Sequence, residues 1–584
     1  MDITIKINGI EVTAPSGTTI LQAARMAHID IPTLCYLKDI NEIGACRMCI
    51  VEAKEGPRPA KLVAACVYPI SNGMEVMTNS QKVIECRKKN LELLLSNHNR
   101  SCLSCVRSGK CELQTLCREY GVENEGKYDG VKTPSEIDDS AAHMIRDNSK
   151  CILCRRCVAV CEKVQAVGVI GANQRGFKTN IGSPFEMGLG ETSCVSCGQC
   201  IAVCPTGALH EKEYIDDVLA AIADPTKYVV VQTAPAVRAG LGEVFGLPIG
   251  TNVEGKMVAA LRRIGFDRVF DTDFSADLTI MEEANEFIER VQNGGKLPMI
   301  TSCSPGWIKY CEHYFPELTD NLSTCKSPQQ MMGAVIKTYF AETMGIDPKN
   351  IVSVAIMPCT AKKFEIGRDD QSAAGVPDVD IAMTTRELGR MIEKCGLRFL
   401  DLPDEEFDNP LGEDTGAAVI FGATGGVMEA ALRTAYEALT GTVLENVDFY
   451  PVRGVDGIKE ANVKIGDQTI SVAVANGTGN AAKLLDSIRS GEKNYLFIEV
   501  MGCPGGCVNG GGQPIVPAQV RMTCDPRVER AKALYQEDAD KPVRKSHENS
   551  EIKQIYADYL GKPNSHKAHE LLHTHYTARK VYND

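Results

Sequence analysis

The sequence lacks long apolar runs and a basic stripe. Its 584 residues include 76 Asp and Glu against 63 Lys and Arg, for a net charge of −13. Nucleic acid is therefore excluded as the main partner, because phosphate binding needs clustered Lys and Arg. No apolar run reaches the roughly 20 residues that a spanning helix needs, so we expect no membrane span.

The chain begins with Met1-Asp-Ile-Thr-Ile-Lys-Ile-Asn, whose alternation predicts a strand rather than a signal peptide. We therefore expect a cytoplasmic protein with reduced thiols. The chain nevertheless contains 25 Cys. In a reducing compartment, clustered cysteines indicate metal ligands or redox chemistry more readily than disulfides.

Residues 1–80 are predicted to form a small β-rich domain. A strand from Ile3 to Ile7, an Asn8-Gly9 turn and a helix from Thr19 precede four cysteines at Cys-x10-Cys-x2-Cys-x16-Cys spacing. Four thiolates suit an iron–sulfur cluster or structural zinc. The β-grasp-like order of elements resembles [2Fe–2S] ferredoxins, which implies one such cluster. Its ligands would be Cys35, Cys46, Cys49 and Cys66.

Residues 81–133 are predicted to be a helical segment with a mixed ligand set. A helix from Gln81 to Leu95 leads to the motif His-x3-Cys-x2-Cys-x5-Cys. By spacing alone this motif suits either zinc or an iron–sulfur cluster. It resembles the [4Fe–4S] motif of the large electron-transfer subunit of respiratory NADH dehydrogenase and of some hydrogenases. The ligands implied are His98, Cys102, Cys105 and Cys111.

Residues 134–212 contain two Cys-x2-Cys-x2-Cys-x3-Cys runs, the pattern of bacterial ferredoxins with two [4Fe–4S] clusters. In that pattern the fourth Cys of each run binds the other cluster. The first cluster is therefore assigned to Cys151, Cys154, Cys157 and Cys204, and the second to Cys194, Cys197, Cys200 and Cys161. We expect Pro134 to Asp147 to be a polar connector.

Residues 213–584 are predicted to form a large α/β domain, so the whole chain is multidomain, with α/β and α+β parts. Apolar runs at Tyr228, Ile351 and Ala417 to Phe421 predict strands, with helices between them. Residues 422–426, Gly-Ala-Thr-Gly-Gly, lack the order and the Lys of a phosphate loop, so we expect a strand-to-helix turn. The histidine-containing residues after Lys541 predict a helical tail that wraps the surface.

Three separated segments carry a family resemblance. They are Thr301-Ser-Cys-Ser-Pro-Gly-Trp307, Met357-Pro-Cys-Thr-Ala-Lys-Lys-Phe-Glu365 and Glu499-Val-Met-Gly-Cys-Pro-Gly-Gly-Cys-Val-Asn-Gly510. The third is rich in glycine, which lets main chain approach an inorganic group closely. Together they resemble the signature loops of [FeFe]-hydrogenases. The resemblance implies an H-cluster: a [4Fe–4S] cubane joined by a cysteine sulfur to a two-iron centre with carbon monoxide, cyanide and an azadithiolate bridge.

The resemblance also implies roles for individual residues. Cys359 and Cys503 match cubane ligands, and Cys507 matches the cysteine shared by the cubane and the two-iron centre. Lys362 matches a donor to one cyanide and Pro358 a backbone neighbour of the other. The thioethers of Met357 and Met501 match the apolar wall around the two-iron centre.

The first segment departs from the family's Thr-Ser-Cys-Cys-Pro form, because Ser304 stands where the second Cys, a cubane ligand, would be. Either Cys303 binds the cubane and the proton relay is altered, or Cys303 remains the relay thiol and the fourth ligand is unusual. Pro504 also replaces a histidine that is common near the cubane.

The remaining relay residues match the family. Glu283 and Glu286, three apart on one helix face, would move protons with Ser323 and Arg290. A solvated acidic face is the alternative interpretation, and it suits Glu282 and Glu289 better.

The resemblance implies a catalytic subunit that performs 2H+ + 2e− ⇌ H2. The amino-terminal modules resemble NADH dehydrogenase, and no flavin or dinucleotide domain is evident. We therefore expect flavin- and NAD(P)-binding partner subunits. Ferredoxin is a further candidate partner, and electron bifurcation is a candidate mode. A stand-alone ferredoxin-dependent hydrogenase and a hydrogenase-like H2 sensor are alternatives. A non-catalytic electron carrier or assembly factor would lack the two-iron centre.

Overall fold

The alternating residues at the amino terminus form the first hairpin of a five-stranded sheet. The computed structural model describes residues 2–466 and 468–581, so Met1, which we assigned to the first domain, and residues 467 and 582–584, which we assigned to the last, lie outside the described residues. The first domain contains β1 (Asp2–Ile7), β2 (Ile10–Pro15), α1 (Ile20–Met26), β3 (Ile50–Lys54), β4 (Lys61–Ala64) and β5 (Glu75–Met77). The sheet order β2-β1-β5-β3-β4, with β1 and β5 parallel, confirms the β-grasp-like prediction.

Local sequence explains this hairpin and the helix that follows it. Ile5 and Ile7 point into the core, while Lys6 between them is exposed. Asn8 and Gly9 supply the positive φ angles, 51° and 85°, of the two-residue turn. Thr19 caps α1 by accepting a hydrogen bond from a backbone N–H in its first turn.

Residues 81–133 are helical, whereas residues 134–212 contain more strand than we expected. The elements are α2 (Gln81–Asn97), α3 (Glu112–Glu119), β6 (Ile137–Asp138), β7 (Met144–Asp147), α4 (Arg156–Ala159), β8 (Gly171–Asn173), β9 (Asn180–Gly182), α5 (Gln199–Ala202) and β10 (Leu209–Glu211). The interpretation of Pro134 to Asp147 as only a polar connector is wrong, because β7 pairs with β6 and β10. The buried side chain of Met144 holds this strand in the module's core.

The remaining residues form an α/β unit on two four-stranded sheets. The elements before its midpoint are α6 (Ile215–Ala223), β11 (Tyr228–Thr233), α7 (Pro235–Arg238), α8 (Glu254–Ile264), β12 (Arg268–Asp271), α9 (Thr272–Asn293), β13 (Met299–Ile300), α10 (Pro305–Tyr314), α11 (Pro328–Val335), α12 (Ala341–Met344), β14 (Ile351–Met357), α13 (Lys362–Glu365), β15 (Ile381–Thr384) and α14 (Thr385–Lys394). Those after it are α15 (Gly416–Val419), α16 (Gly426–Thr440), β16 (Ile458–Ile465), β17 (Gln468–Asn476), α17 (Thr478–Arg489), β18 (Phe497–Met501), α18 (Pro526–Asp540), α19 (Ser550–Ile555) and α20 (His566–Leu572).

The two sheets are mainly parallel, as we predicted. The first has the order β12-β11-β14-β15 and its pairs are parallel. The second has the order β13-β18-β17-β16, with an antiparallel pair at β16–β17. The predicted strands at Tyr228 and Ile351 are confirmed.

The strand prediction for Ala417 to Phe421 is wrong. These residues form α15 and a 3-10 turn at Ile420–Gly422. A short, fully buried apolar run does not distinguish a strand from a helix. Here α15 packs against α9, α16 and α18, so the run is buried on all sides as a helix.

The carboxyl-terminal residues are helical, as predicted, but they lie deeper than a tail that wraps the surface. Side chains including Ile552, Ile555, Leu560 and Leu572 enter a hydrophobic core shared with α9 and α11. This packing brings the end of α20 next to α9. Within the described residues, no helix combines the length and apolarity needed to cross a membrane.

Candidate metal-cluster site and proton relay

One cavity is lined by residues at the carboxyl ends of four strands. The lining residues that follow or end β11, β13, β14 and β18 are Ala234, Pro235, Cys303, Ser304, Pro305, Met357, Pro358, Cys359, Met501, Gly502 and Cys503. Helix α9 adds Thr272, Asp273 and Ala276. This position is expected, because ligands of α/β folds bind at the carboxyl ends of parallel strands.

Besides Cys303, three free thiols line this cavity. Cys359 follows β14, while Cys503 and Cys507 lie in the glycine-rich loop after β18. Burial raises the pKa of all three thiols, and the charge of Cys359 raises those of Cys503 and Cys507 further. Buried thiols that two loops bring into one cavity fit the ligand set of an iron–sulfur cluster.

The glycines after β18 are required by contact between backbones. A Cβ on Gly510 would lie 2.1 Å from the carbonyl oxygen of Pro358. Gly506 has a φ of 92°, and its Cβ would lie 2.7 Å from the backbone nitrogen of Thr424. The loop is therefore clamped between two other loops, and this packing sets the positions of the thiols on either side of Gly506.

Cys303 and Ser304 have different surroundings. The side chain of Cys303 packs in an apolar cluster with Met501, and burial and the charge of Glu283 raise the pKa of its thiol. Ser304 Oγ accepts a hydrogen bond from the backbone N–H of Gly502 at 3.1 Å. Cys303 therefore lies on the side of the carboxylates of α9, and the hydroxyl of Ser304 lies beside the loop that carries Cys503.

The other predicted cavity residues are also brought together. Lys362 Nζ donates to Ser327 Oγ at 2.7 Å and to Glu365 Oε2 at 2.8 Å, and it lies 3.4 Å from the carbonyl oxygen of Cys303. Pro358, Met357 and Met501 line the same cavity. Met357 and Met501 are buried at the ends of β14 and β18, where their thioethers form an apolar wall.

Carboxyl and hydroxyl groups lead from Cys303 along α9. Ser323 Oγ donates to Glu286 Oε2 at 2.9 Å, and Arg290 donates to Glu286 Oε1 from Nε at 3.1 Å and Nη2 at 2.6 Å. Glu283 is 1% exposed, and its Oε2 has no hydrogen-bond partner among the described residues. Burial and the charge of Glu286 raise the pKa of Glu283 to about 8, so its carboxyl group holds a proton at neutral pH.

The interpretation of Glu282 as part of a solvated face is wrong. Its carboxylate is fully buried and accepts hydrogen bonds from the Tyr556 hydroxyl and, at 2.8 Å, from the Asn564 backbone N–H. His573 Nε2 lies 3.1 Å from the same carboxylate. Glu289 is exposed, as predicted. The partners of Glu282 come from the distant tail, so no local signal on α9 reveals its burial.

Glu499 is a second buried carboxylate that motif analysis left without a role. It accepts hydrogen bonds from the backbone N–H groups of Gly425 at 2.6 Å and Met428 at 2.8 Å, at the start of α16. The anion position at this helix end is thus filled by the chain's own carboxylate. The glycine-rich turn leads into a helix, as predicted, but α15 rather than a strand precedes it.

The cysteines of the first domain form two close pairs. Cys49 Sγ and Cys66 Sγ lie 3.3 Å apart. Cys35 and Cys46 are hydrogen-bonded to each other, which raises the pKa of Cys35 and lowers that of Cys46 to about 6. Two thiol pairs suit a cluster of two irons with two protein sulfurs on each.

The mixed ligand set of the helical segment lies against the neighbouring module. His98 is 7% exposed, and its Nδ1 has no hydrogen-bond partner among the described residues, as a metal-binding nitrogen would require. Cys111 Sγ donates to the carbonyl oxygen of Pro205 at 3.6 Å. Cys105 Sγ would lie 2.6 Å from a Cβ on Gly207, so this thiol also packs on the segment after Cys204.

The eight cysteines of residues 134–212 group as their spacing predicts. Cys151, Cys154, Cys157 and Cys204 line one small cavity, so the fourth Cys of the second run joins the first three. Among charged neighbours, Cys197, Cys194 and Cys161 raise the pKa of the Cys200 thiol most strongly.

Hydrogen bonds connect the first domain to the two-run module, and that module to a loop of the cavity. Asn41 Nδ2 donates to the carbonyl oxygens of Cys35 at 2.7 Å and Cys154 at 3.0 Å, so it joins the first domain to the two-run module. At the other end, Gln199 Nε2 donates to the carbonyl oxygen of Asn509 at 2.9 Å. The proposed accessory ligands therefore extend continuously to the loop that carries Cys503 and Cys507.

Comparison with known proteins agrees with this arrangement. Residues 227–511 match the family described as iron only hydrogenase large subunit, C-terminal domain, and residues 525–579 match the iron hydrogenase small subunit. Residues 1–81 match a 2Fe-2S iron-sulfur cluster binding domain, residues 87–125 the NADH-ubiquinone oxidoreductase-G iron-sulfur binding region, and residues 150–208 a 4Fe-4S dicluster domain.

Two relatives match along almost the whole chain. The NADP-reducing hydrogenase subunit HndD of Solidesulfovibrio fructosivorans is 52% identical over 99% of both chains. Iron hydrogenase 1 of Clostridium pasteurianum is 45% identical over 98% of this chain and 99% of its own. An apo form of the [FeFe]-hydrogenase of Chlamydomonas reinhardtii is 44% identical, with a TM-score of 0.57 over 63% of this chain and 100% of its own. The chain therefore belongs to the [FeFe]-hydrogenases, and it is an oxidoreductase of that family with iron–sulfur cofactors.

Proposed function

We propose that this hydrogenase interconverts H2 with protons and electrons at an H-cluster in the cavity, as the catalytic subunit of an NAD(P)-linked complex. The observation that supports the NAD(P) link is the 52% identity to an NADP-reducing hydrogenase subunit over 99% of both chains, accessory modules included. The modules matter to this argument, because they supply the surface and the cofactors through which a partner subunit exchanges electrons.

The donor set of the cavity fits an H-cluster. Cys359 and Cys503 would bind the cubane, and Cys507 would join it to the two-iron centre, which supplies the iron chemistry that makes or breaks the H–H bond. The ammonium of Lys362 and the backbone of Pro358 would face the cyanides, since anionic ligands favour cations and N–H dipoles. Met357 and Met501 would exclude water.

We assign Cys303 to the proton relay and Ser304 to the fourth corner of the cubane site. The placement of Cys303 near Glu283, and of the Ser304 hydroxyl beside the Cys503 loop, supports this choice between the two alternatives. A serine oxygen is a harder donor than a thiolate, so it favours ferric iron and lowers the reduction potential of the cluster.

The relay would move protons between the cavity and the outer end of α9. Glu283 holds a proton at neutral pH and can exchange it with the Cys303 thiol, because its Oε2 is free of other partners among the described residues. Ser323 lies between the two carboxyl groups: its hydroxyl donates to Glu286 and lies within hydrogen-bonding reach of Glu283. Arg290 fixes the carboxylate of Glu286 at the end of this path.

Electrons would pass through one [2Fe–2S] and three accessory [4Fe–4S] clusters. The contacts of Asn41 and Gln199 support a sequence from the first domain, through both clusters of the two-run module, to the cubane. The contact of Cys111 with Pro205 supports a branch from the His98 cluster to the same module. Two entry points suit a complex with more than one redox partner, such as a flavin-containing NAD(P) subunit and ferredoxin, and so support bifurcation as its mode.

Infrared spectroscopy of matured protein tests the cofactor, since carbon monoxide and cyanide absorb where protein does not. We expect those bands together with H2 evolution from an artificial donor, and their absence would refute the H-cluster. Purification from its native host then tests the partners. We expect flavin and H2-dependent NADP reduction in the purified complex, whereas a homogeneous monomer with full ferredoxin-linked activity would establish the stand-alone alternative.

A further inference from the structure

At the outer end of the proposed relay, the guanidinium of Arg290 lies against Glu286 and remains positively charged. Arg290 binds Glu286 Oε1 through two nitrogens and also donates to backbone carbonyl oxygens, including that of Leu322 at 2.7 Å. A guanidinium cannot give up its proton at ordinary pH, so it positions a proton carrier but does not carry protons. A proton that leaves Glu286 therefore passes to another titratable neighbour or to water.

His573 is such a neighbour. One ring nitrogen of His573, a carboxylate oxygen of Glu286 and the Cys325 sulfur all lie within 4.8 Å of one another. Cys325 Sγ also donates to Glu286 Oε2 at 3.8 Å. The imidazole is held at both nitrogens, by the Glu282 carboxylate at Nε2 and by Thr324 Oγ1 at Nδ1, 2.7 Å away. These two hydrogen bonds fix the orientation of the ring beside Glu286.

The path continues to solvent through a second imidazole. His569 lies on α20 and His573 caps the carboxyl end of this helix, and the centroids of their rings are 4.0 Å apart. His569 is exposed, whereas the side chain of His573 is 5% exposed. The two rings therefore connect a buried carboxylate to water across one helical turn.

We propose that His573 and His569 form the solvent end of the proton relay. During H2 oxidation, a proton leaves the carboxyl group of Glu286 for the imidazole of His573, which becomes an imidazolium, and then passes to His569 and to water. During H2 evolution the same transfers run in reverse. Only protons move in these steps. The inference rests on the proposed function, because it requires Glu286 to be part of the relay.

The charges around His573 support this role. It faces Glu282 and Glu286 on α9, Cys325 before α11 and His569 on α20. Burial and the neighbouring His573 lower the pKa of His569, which favours release of its proton to water.

Glu282 and Tyr556 are positioning residues in this arrangement. The Tyr556 hydroxyl and the Asn564 N–H both donate to the Glu282 carboxylate, so its orientation toward His573 is fixed. This explains why a carboxylate lies fully buried beside a relay of which it is not a member.

Substitution of the two histidines in matured holoenzyme tests the proposal, with H2 evolution and oxidation measured through an artificial mediator. We expect His573→Ala to slow both directions by about 10²-fold, the usual contribution of a positioned proton carrier, and His569→Ala to slow them less. Added imidazole should restore much of the rate. The matched control is His566→Ala, an exposed histidine at the start of the same helix, which should retain the wild-type rate.

The controls separate this proposal from the function on which it rests. If Glu286→Gln removes activity while His573→Ala does not, protons leave elsewhere and the inference is wrong. If His573→Ala loses activity together with the infrared bands, and imidazole restores nothing, the histidine is structural and the inference is equally wrong. If the wild-type protein with intact bands does not turn over, the proposed function itself fails, independently of the histidines.

Discussion

The accessory modules and the catalytic cavity hold their proposed ligands in opposite ways. In the modules each ligand set belongs to one stretch of chain, as with Cys151, Cys154 and Cys157, and only the exchanged fourth Cys comes from further along. In the cavity, Cys359 follows a strand of one sheet and Cys503 follows a strand of the other. The module sites depend on local spacing, whereas the cavity depends on the packing of two sheets.

This difference predicts how far the effect of a substitution extends from the site of the change. A change in an accessory module should interrupt electron entry and leave the cavity intact, because the residues that line the cavity all come from the carboxyl-terminal α/β unit. A change in the cavity should stop the reaction whatever supplies the electrons. Mediator-driven H2 evolution, which bypasses the modules, therefore measures the cavity alone.

The largest effect is expected from Cys503→Ala. This change removes a proposed cubane ligand from a fully buried position, so the cubane cannot assemble there. We expect mediator-driven H2 evolution to fall by about three orders of magnitude or more, with a lower iron content and no infrared bands. Cys395→Ala removes an exposed free thiol and should change none of these. Retention of both activity and bands in the Cys503 variant would refute the ligand assignment.

The next largest effect is expected from Glu283→Gln. The amide keeps the shape of the buried side chain but cannot carry a proton, so mediator-driven rates should fall by about 10²- to 10⁴-fold while the infrared bands remain. Glu289→Gln, on the exposed face of the same helix, should keep the wild-type rate.

Stability provides an independent check on Glu283. Because burial raises its pKa from 4.5 to about 8, the folded protein retains a proton that the unfolded chain releases. This contribution to stability is complete below pH 4.5 and is lost as the pH rises through about 8. Glu283→Gln should therefore flatten the decline of the unfolding free energy over that interval. An unchanged decline would contradict the proposed protonation of Glu283.

The same comparison explains what sequence analysis predicts well. Close spacing places Cys154 and Cys157 on one turn of chain, so their association follows from the local sequence, and the exchange of Cys204 follows from the repeat. The hairpin at Asn8 and Gly9 is equally local, because its turn needs residues that tolerate positive φ.

What escaped prediction depends on contacts between distant residues. The burial of Glu282 depends on Tyr556 and His573 from the tail, and the sequence of α9 does not indicate that these residues pack there. The run from Ala417 is helical because three other helices surround it, a fact that its apolar composition does not encode. For the cavity, the association of its three loops was inferred from family resemblance, since residue types alone do not join two sheets.

A smaller effect is expected where the modules meet the cavity. A Cβ at Gly511 would lie 2.2 Å from the carbonyl oxygen of Cys197, so Gly511→Ala must push the two loops apart. We expect a destabilisation of about 1–3 kcal/mol. Electron entry through the modules should slow more than mediator-driven evolution does. Gly171→Ala, whose Cβ would meet nothing within 4 Å, is the matched control, and equal behaviour of the two variants would contradict this contact.

The smallest effect is expected from Asn41→Ala, at the far end of the electron path. The change leaves the buried carbonyl oxygens of Cys35 and Cys154 without this donor, at a cost of about 1–3 kcal/mol. Asn90→Ala removes a hydrogen bond to the more exposed carbonyl oxygen of Arg47 and should cost less. Because Asn41 lies outside the cavity, mediator-driven H2 evolution should be unchanged, while electron transfer from the first domain slows. A loss of mediator-driven activity would show that the modules and the cavity are coupled more tightly than their opposite construction implies.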